Sequence, residues 1–217
     1  MNNSTRDNPG PAGIILAAGM GRRMGKTKQL LLFQGKPVLV HVLEQGIAAG
    51  LDPLILVLGH RAKEIQNQLP DLPVDLVINT HYQSGMASSI VAGLERLEKI
   101  QNPPGPGALF VLGDQPLVRA PTMKTIICTA LKRPEQIVVP VFKGKQGNPV
   151  WFDPCFFKDL KKLTGDTGGK ALFKQFPEAM TRVEVDSQAV CLDLDTKEDY
   201  LSLGHTFETC RRKANHS

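Results

Sequence analysis

An α/β fold, a mostly parallel sheet with helices on both faces, is predicted by three observations. Short apolar runs alternate with segments of helical periodicity, glycine- or proline-rich breaks separate them, and the first run ends in a glycine-rich, basic connection. Gly13-Ile14-Ile15-Leu16-Ala17 has no polar side chain and reads as a buried parallel strand. Pro37 opens a helix in which Val38 and Val42, and Leu39, Leu43 and Ile47, recur at helical spacing until Gly50 stops it. Residues 53–58 form the next strand, 61–69 a helix, 74–78 a third strand and 87–99 another helix.

Residues 102–107, Asn-Pro-Pro-Gly-Pro-Gly, are a breaker-rich surface loop. The apolar run 108–112 is a fourth strand and leads into Gly113-Asp114-Gln115-Pro116. A helix is expected over 122–131. Two β-rich runs between Gln136 and Phe152, separated by Lys143-Gly144-Lys145-Gln146-Gly147, predict a hairpin over the sheet's edge. A weaker strand near 182–185, an acidic stretch over 193–199 and a polar tail follow. The organisation expected is a flexible tail over 1–12, a single domain over 13–204 and a polar tail over 205–217.

With 217 residues, 41% of them apolar, the chain can bury one substantial core. Its net charge of +5 favours anionic partners. No long basic run or aromatic-basic alternation accompanies that charge, so a small polyanion is expected and nucleic acid is not. No apolar run approaches the roughly 18 to 20 residues that span a bilayer, and Met1 to Pro11 lack the apolar centre of a secretory signal. A cytoplasmic location without membrane contact is expected. Cys128, Cys155, Cys191 and Cys210 lack zinc-site or redox spacing and are expected to be buried thiols. His41, His60, His81, His205 and His216 share no metal-ligand spacing either, and none is assigned to catalysis.

The connection Leu16-Ala17-Ala18-Gly19-Met20-Gly21-Arg22-Arg23-Met24-Gly25-Lys26-Thr27-Lys28 leaves the carboxyl end of a strand, where open α/β sheets bind ligands. Glycines let backbone N–H groups approach phosphate oxygens, and the cations compensate their charge. The spacing fits neither a P-loop nor a dinucleotide fingerprint. A triphosphate is the expected guest, against the alternative of a solvated turn.

This segment resembles the signature of nucleotidyltransferases related to molybdenum cofactor guanylyl- and cytidylyltransferases. Gln83-Ser84-Gly85-Met86-Ala87-Ser88-Ser89-Ile90, Gly113-Asp114-Gln115-Pro116, Gly147-Asn148-Pro149-Val150, Gly165-Asp166-Thr167-Gly168-Gly169 and Asp193-Leu194-Asp195-Thr196 match the family in the same order. Ala18 resembles the cytidylyl branch, where the guanylyl branch has a second glycine, and Thr27 stands where that branch has Asp before its lysine. Asn148 in place of His, and Lys170 in place of Arg, depart from the cytidylyl pattern.

The resemblance implies a Rossmann-like fold with the β-hairpin near the acceptor site, and transfer of CMP from CTP to the phosphate of molybdopterin. Lys28, Arg23 and Asp114 take catalytic roles. Leu16 through Gly21, Arg22 through Gly25, Lys28, Gly85 and Ser89 contact the nucleotide. Gly147, Asn148, Pro149, Asp166, Gly168, Gly169 and Lys170 contact the acceptor. Asp114 and Asp195 hold Mg²⁺, with Asp193 and Asp199 as rivals of Asp195, and a molybdenum hydroxylase is the expected transient partner that receives the product. Read without the family, Gly85 to Ser89 is a helix cap, the acceptor segments are ordinary turns, and Trp151, Phe152, Phe156 and Phe157 are core rather than the wall of a pterin pocket. The alternatives are a guanylyl- or other NTP-dependent transferase acting on a sugar or alcohol phosphate, an NAD(P)-dependent oxidoreductase, and a noncatalytic cofactor chaperone.

Overall fold

A computed structural model describes residues 9–20, 27–103, 105–194, 196 and 198–202. In chain order it contains β1 (Ala12–Ala17), β2 (Leu32–Phe33), β3 (Lys36–Pro37), α1 (Val38–Ala49), β4 (Leu54–Leu58), α2 (Ala62–Gln68), β5 (Asp75–Ile78) and α3 (Met86–Ile100). These are followed by β6 (Ala108–Leu112), α4 (Ala120–Leu131), β7 (Ile137–Phe142), β8 (Lys145–Gln146), β9 (Val150–Phe152), α5 (Phe157–Leu160), α6 (Leu172–Gln175) and β10 (Met180–Glu184). Gly50 ends α1 in the left-handed conformation at φ 83°, as the sequence predicts.

The main sheet runs β10-β7-β9-β6-β1-β4-β5, with β8 paired to β7, and β2 and β3 form a separate ribbon. Side chains alternate along each strand, and the alternation builds two cores. Ile15, Leu56, Leu109 and Trp151 pack beneath α1, α2 and α4 on one face, while Ile14, Ile55, Phe110 and Phe152 pack beneath α3, α5 and α6 on the other. Each core is held by fully buried aliphatic side chains such as Leu43 and Leu94. Cutting one of these back to alanine typically destabilises a protein by about 2–5 kcal/mol.

Two expectations need correction here. The segment after α4 is no hairpin over the edge: β7 turns into the short β8, but β9 returns into the interior of the sheet, antiparallel to both β6 and β7. All three residues of β9 are buried, and burying Trp151 and Phe152 on opposite faces requires a central position. Residues 10–12, expected in the N-terminal tail, are tied to the sheet: Ala12 is in β1 and Pro11 O accepts from Asp52 N. Residues 1–8 and the expected tail over 205–217 lie outside the described residues.

The topology creates one preferred place for a ligand. From β1 the chain adds β4 and β5 on one side, then crosses to place β6 on β1's other flank, parallel to it. Connections leaving β1 and β6 therefore diverge and leave a crevice at the carboxyl ends of the strands. The register aligns Leu16 with Leu112, and Gly113 N donates to Leu16 O at 2.9 Å, so the residues that follow both strands face each other. No helix among the described residues is long and apolar enough to cross a membrane.

Candidate active site

The crevice is a cavity of about 640 Å³. Its first wall is the connection after β1. Buried Gln29 fixes that wall, because its Nε2 donates to Ala17 O at 3.0 Å and to Gly19 O at 3.3 Å. A Cβ on Gly19 would meet no described residue within 4 Å, so the backbone there borders the cavity. Leu16, Ala17, Ala18, Gly19 and Met20 all line the cavity. Gly21, Arg22, Arg23, Met24 and Gly25 lie outside the described residues.

Where the connection re-enters the described structure, Lys28 points back across the crevice. Its Nζ donates to Asp114 Oδ2, and both side chains are only 15% exposed. The pair joins the connection after β1 to the one after β6, two segments that the sequence keeps 86 positions apart. A cation and a carboxylate held together at the floor of an open cleft are the elements that bind an anionic ligand together with a hard metal ion.

The opposite wall is the start of α3. Gly85 precedes the helix at φ 103°, and a Cβ there would come within 2.3 Å of Gly165, so only glycine lets the two loops touch. Ala87 N donates to Gly165 O at 3.1 Å, and Met86 N to Asp166 Oδ1 at 3.3 Å. The start of α3 is thus satisfied by the loop from the second half of the chain. Behind it, buried Asn79 Nδ2 donates to Ser88 Oγ at 2.8 Å and Ser89 Oγ at 3.1 Å. Gly85 and Ser89 both line the cavity, as do Tyr82, Gln83 and Ser84 of the preceding turn.

A second cavity of about 300 Å³ opens from the first, and Leu16, Met86, Leu112, Asp166 and Asp193 border both. Its inner surface is apolar, formed by Ile90, Phe110, Val150, Phe152 and Leu160, with the Phe110 and Phe152 rings packed edge to face at 5.5 Å. Its rim is polar and carries Asn148, Gly168, Gly169 and Lys170. Gly147 and Pro149, expected beside them, do not line it. A Cβ on Gly147 would lie 2.3 Å from Val190 O, so that residue serves close packing. Trp151, Phe156 and Phe157 are core residues, while Phe152 is both buried and part of the second cavity.

Among the described residues no group of three or more His, Cys, Asp or Glu side chains is able to hold a metal by itself. Asp114 and Asp193 nevertheless border one cavity, and this donor set suits Mg²⁺, which typically takes one or two protein carboxylates and completes its shell with phosphate oxygens and water. Asp195 lies outside the described residues. The expectation of buried thiols fails: Cys128 and Cys155 are exposed and Cys191 is partly exposed, because none lies on the inward stripe of its element. Cys210 is not among the described residues.

Sequence reasoning missed the polar anchors Gln29, Asn79 and Gln115, all buried. Gln115 stands in a quoted motif, but no local pattern distinguishes a buried amide from a surface one. Asp193 was legible only as a rival of Asp195.

Comparison with known proteins adds four findings. The family model described as MobA-like NTP transferase domain matches residues 13–182. The nicotine blue oxidoreductase of Paenarthrobacter nicotinovorans is 26% identical over 206 residues, covering 91% of this chain and 98% of that protein. The crystal structure of Rv0371c from Mycobacterium tuberculosis H37Rv superposes with a TM-score of 0.76 at 31% identity, over 90% of this chain and 97% of that one. A structure of the same mycobacterial protein in complex with manganese gives a TM-score of 0.73 at 31% identity, over 88% and 96% of the two chains.

Proposed function

This chain belongs to the MobA-like NTP transferase family, and on that premise we propose that it transfers CMP from CTP to the terminal phosphate of molybdopterin, releasing pyrophosphate and forming the cytosine dinucleotide cofactor. The observation that carries the proposal is the pair of connected chambers. One is bordered by the connection after β1 and the Lys28–Asp114 pair, the other by an apolar interior and a polar rim. A volume of about 640 Å³ suits a nucleoside triphosphate, since sites for ligands of that size typically span about 300–1,000 Å³. The aromatic lining of the second chamber suits a flat heterocycle such as a pterin.

A phosphate oxygen of the acceptor attacks the α-phosphorus of CTP in line. The bond to the β-phosphate oxygen breaks, pyrophosphate carries away the electron pair, and a phosphoanhydride remains. A phosphate monoester with a second pKa near 6 is largely dianionic at neutral pH, so the attacking oxygen needs no general base. The protein's contribution is position and charge. Lys28 transfers its ion pair from Asp114 to the triphosphate, the backbone at Gly19 and Gly21 donates to phosphate oxygens, and Arg23 adds positive charge. Asp114, with Asp195 or its rival Asp193, would hold Mg²⁺, which when bound would supply charge neutralisation to the phosphates. Asn148, Asp166, Gly168, Gly169 and Lys170 receive the acceptor, with Lys170 at its phosphate. The small methyl of Ala18 lines the chamber, supporting cytosine over the larger guanine. A molybdenum hydroxylase is the recipient of the product.

Similarity to a protein named an oxidoreductase favours a second reading, nicotinamide-dependent reduction in the same cleft. Against it, the connection after β1 leads into a three-residue 3₁₀ turn, Lys28–Leu30, rather than the long helix whose N-terminus receives a dinucleotide pyrophosphate. Pyrophosphate release, measured for CTP and GTP against molybdopterin and a sugar phosphate, tests the proposal. Release confined to CTP with molybdopterin supports it. Turnover only with GTP, or only with the sugar phosphate, refutes the substrate assignment, and NADH consumption without pyrophosphate refutes the reaction.

A further inference from the structure

Gln115 follows Asp114 directly, yet its side chain turns away from the cleft and is 1% exposed. Its Nε2 donates to Asp193 Oδ1 at 2.6 Å and lies 3.5 Å from Val190 O. Among the described residues its buried Oε1 has no hydrogen-bond partner. That imbalance fixes the orientation of the amide. Turning it over would set Oε1 against a carboxylate, so the fold keeps the donor on Asp193 and leaves the acceptor unsatisfied. A buried unsatisfied amide oxygen is unfavourable, and its retention points to the value of the bond on the other side.

The segment that Gln115 grips is a junction. Val190 O also accepts from Asn148 N at 2.8 Å, and Leu194 N donates to Asp114 O at 3.3 Å. Leu194 is buried in the core, while Asp193 beside it borders both chambers. One carboxylate oxygen of Asp193 is therefore held by the amide at the boundary between the chambers, beside the Asp114 loop.

We propose that Gln115 is a positioning residue: its amide holds the Asp193 carboxylate at the shared border of the two chambers, where Asp193 joins Asp114 in receiving the divalent cation. This rests on the proposed metal-dependent transfer and deepens it, because it assigns the second described carboxylate and names what orients it. Removing the amide donor takes one anchor from the Asp193 carboxylate, so the metal is held less well although no ligand atom has been deleted.

The test is Mn²⁺ binding followed by electron paramagnetic resonance, with the protein alone and with CTP, on the parent and on Gln115→Met, Asp193→Asn and the double variant. Methionine matches the size of glutamine and removes the unsatisfied Oε1 along with the donor. The melting temperature should therefore stay close to the parent's while Mn²⁺ affinity falls about tenfold. Asp193→Asn should weaken Mn²⁺ at least as much, and Gln115→Met should add less than about twofold in that background. Gln115→Glu, equal in size but unable to donate when ionised, carries the same expectation if the methionine variant does not fold. Unchanged Mn²⁺ affinity in a folded Gln115 variant, or losses that multiply in the double variant, overturns the proposal. A parent that binds Mn²⁺ but releases no pyrophosphate from CTP loses the proposed reaction and leaves the positioning role to the binding data. A parent that binds no Mn²⁺ in either condition overturns both.

Discussion

Lys28 and Asp114 form an ion pair that closes the floor of the cleft, and each is the first charged side chain of the described structure after its strand, β1 and β6 respectively. In the proposed reaction the pair exchanges partners, the ammonium moving to phosphate and the carboxylate to metal. Removal of Lys28 therefore tests the placement of the triphosphate. Losing one preorganised electrostatic contact typically reduces turnover by roughly a hundred- to thousandfold, about 3 to 4 kcal/mol. Lys28→Ala should show a loss of this size in pyrophosphate release at a melting temperature near the parent's. A solvated lysine would change stability by less than about 0.5 kcal/mol and leave turnover intact.

Asp114→Asn separates charge from shape. The amide oxygen can still accept from Lys28, so circular dichroism and melting should match the parent, while Mg²⁺-dependent turnover disappears. Parental turnover and parental dependence on Mg²⁺ concentration in the folded variant would remove Asp114 from the metal site.

Two glycines of the cleft should respond in opposite ways. Gly85 has φ 103° and no room for a Cβ against Gly165, so Gly85→Ala should destabilise the fold by about 1–3 kcal/mol, read from the urea midpoint. A Cβ on Gly19 would meet no described residue within 4 Å, so Gly19→Ala should alter stability by less than about 0.5 kcal/mol. Calorimetric titration of that variant should nevertheless show weaker CTP binding, because the methyl occupies the space reserved for phosphate. Equal stability losses at the two positions would contradict this division.

Cys155 reaches solvent, yet local desolvation, followed by the hydrogen bond and negative charge of Asp153, pushes its thiol up to about 12. Asp153 acts in the same direction as desolvation, so the sign does not depend on how much of the thiol is covered. At pH 8 it should alkylate with iodoacetamide far more slowly than Cys128, because the thiolate is the nucleophile. Since the folded value lies above that of an unfolded thiol, the stabilisation is fully present below about pH 9 and is lost as pH rises towards 12. Mass spectrometry of partly labelled protein resolves the two sites, and equal labelling rates would contradict the shift.

The parallel half of the fold was legible because each strand is a local apolar run and each helix repeats at its own period. The apolar run 108–112 and the Gly50 stop coincide with the structure. Burial of β9 in mid-sheet was not legible, since pairing Trp151 with Leu109 and Val138 is a non-local event that a three-residue strand does not announce. The same division holds in the site. Leu16 to Gly19, Lys28, Gly85 and Asp114 stand out by glycine, charge and position, whereas Gln29, Asn79 and Gln115 act through tertiary burial of ordinary polar side chains.

In the proposed reaction the α-phosphate of a nucleotide moves to an acceptor phosphate in this cleft. CTP labelled at its α-phosphorus, incubated with molybdopterin, Mg²⁺ and the parent protein, tests that transfer directly. The label should appear in the acceptor product while pyrophosphate accumulates in equal amount and unlabelled, and Lys28→Ala should slow both by roughly a hundred- to thousandfold. Label that stays in CTP, or appears only in free CMP, would contradict it.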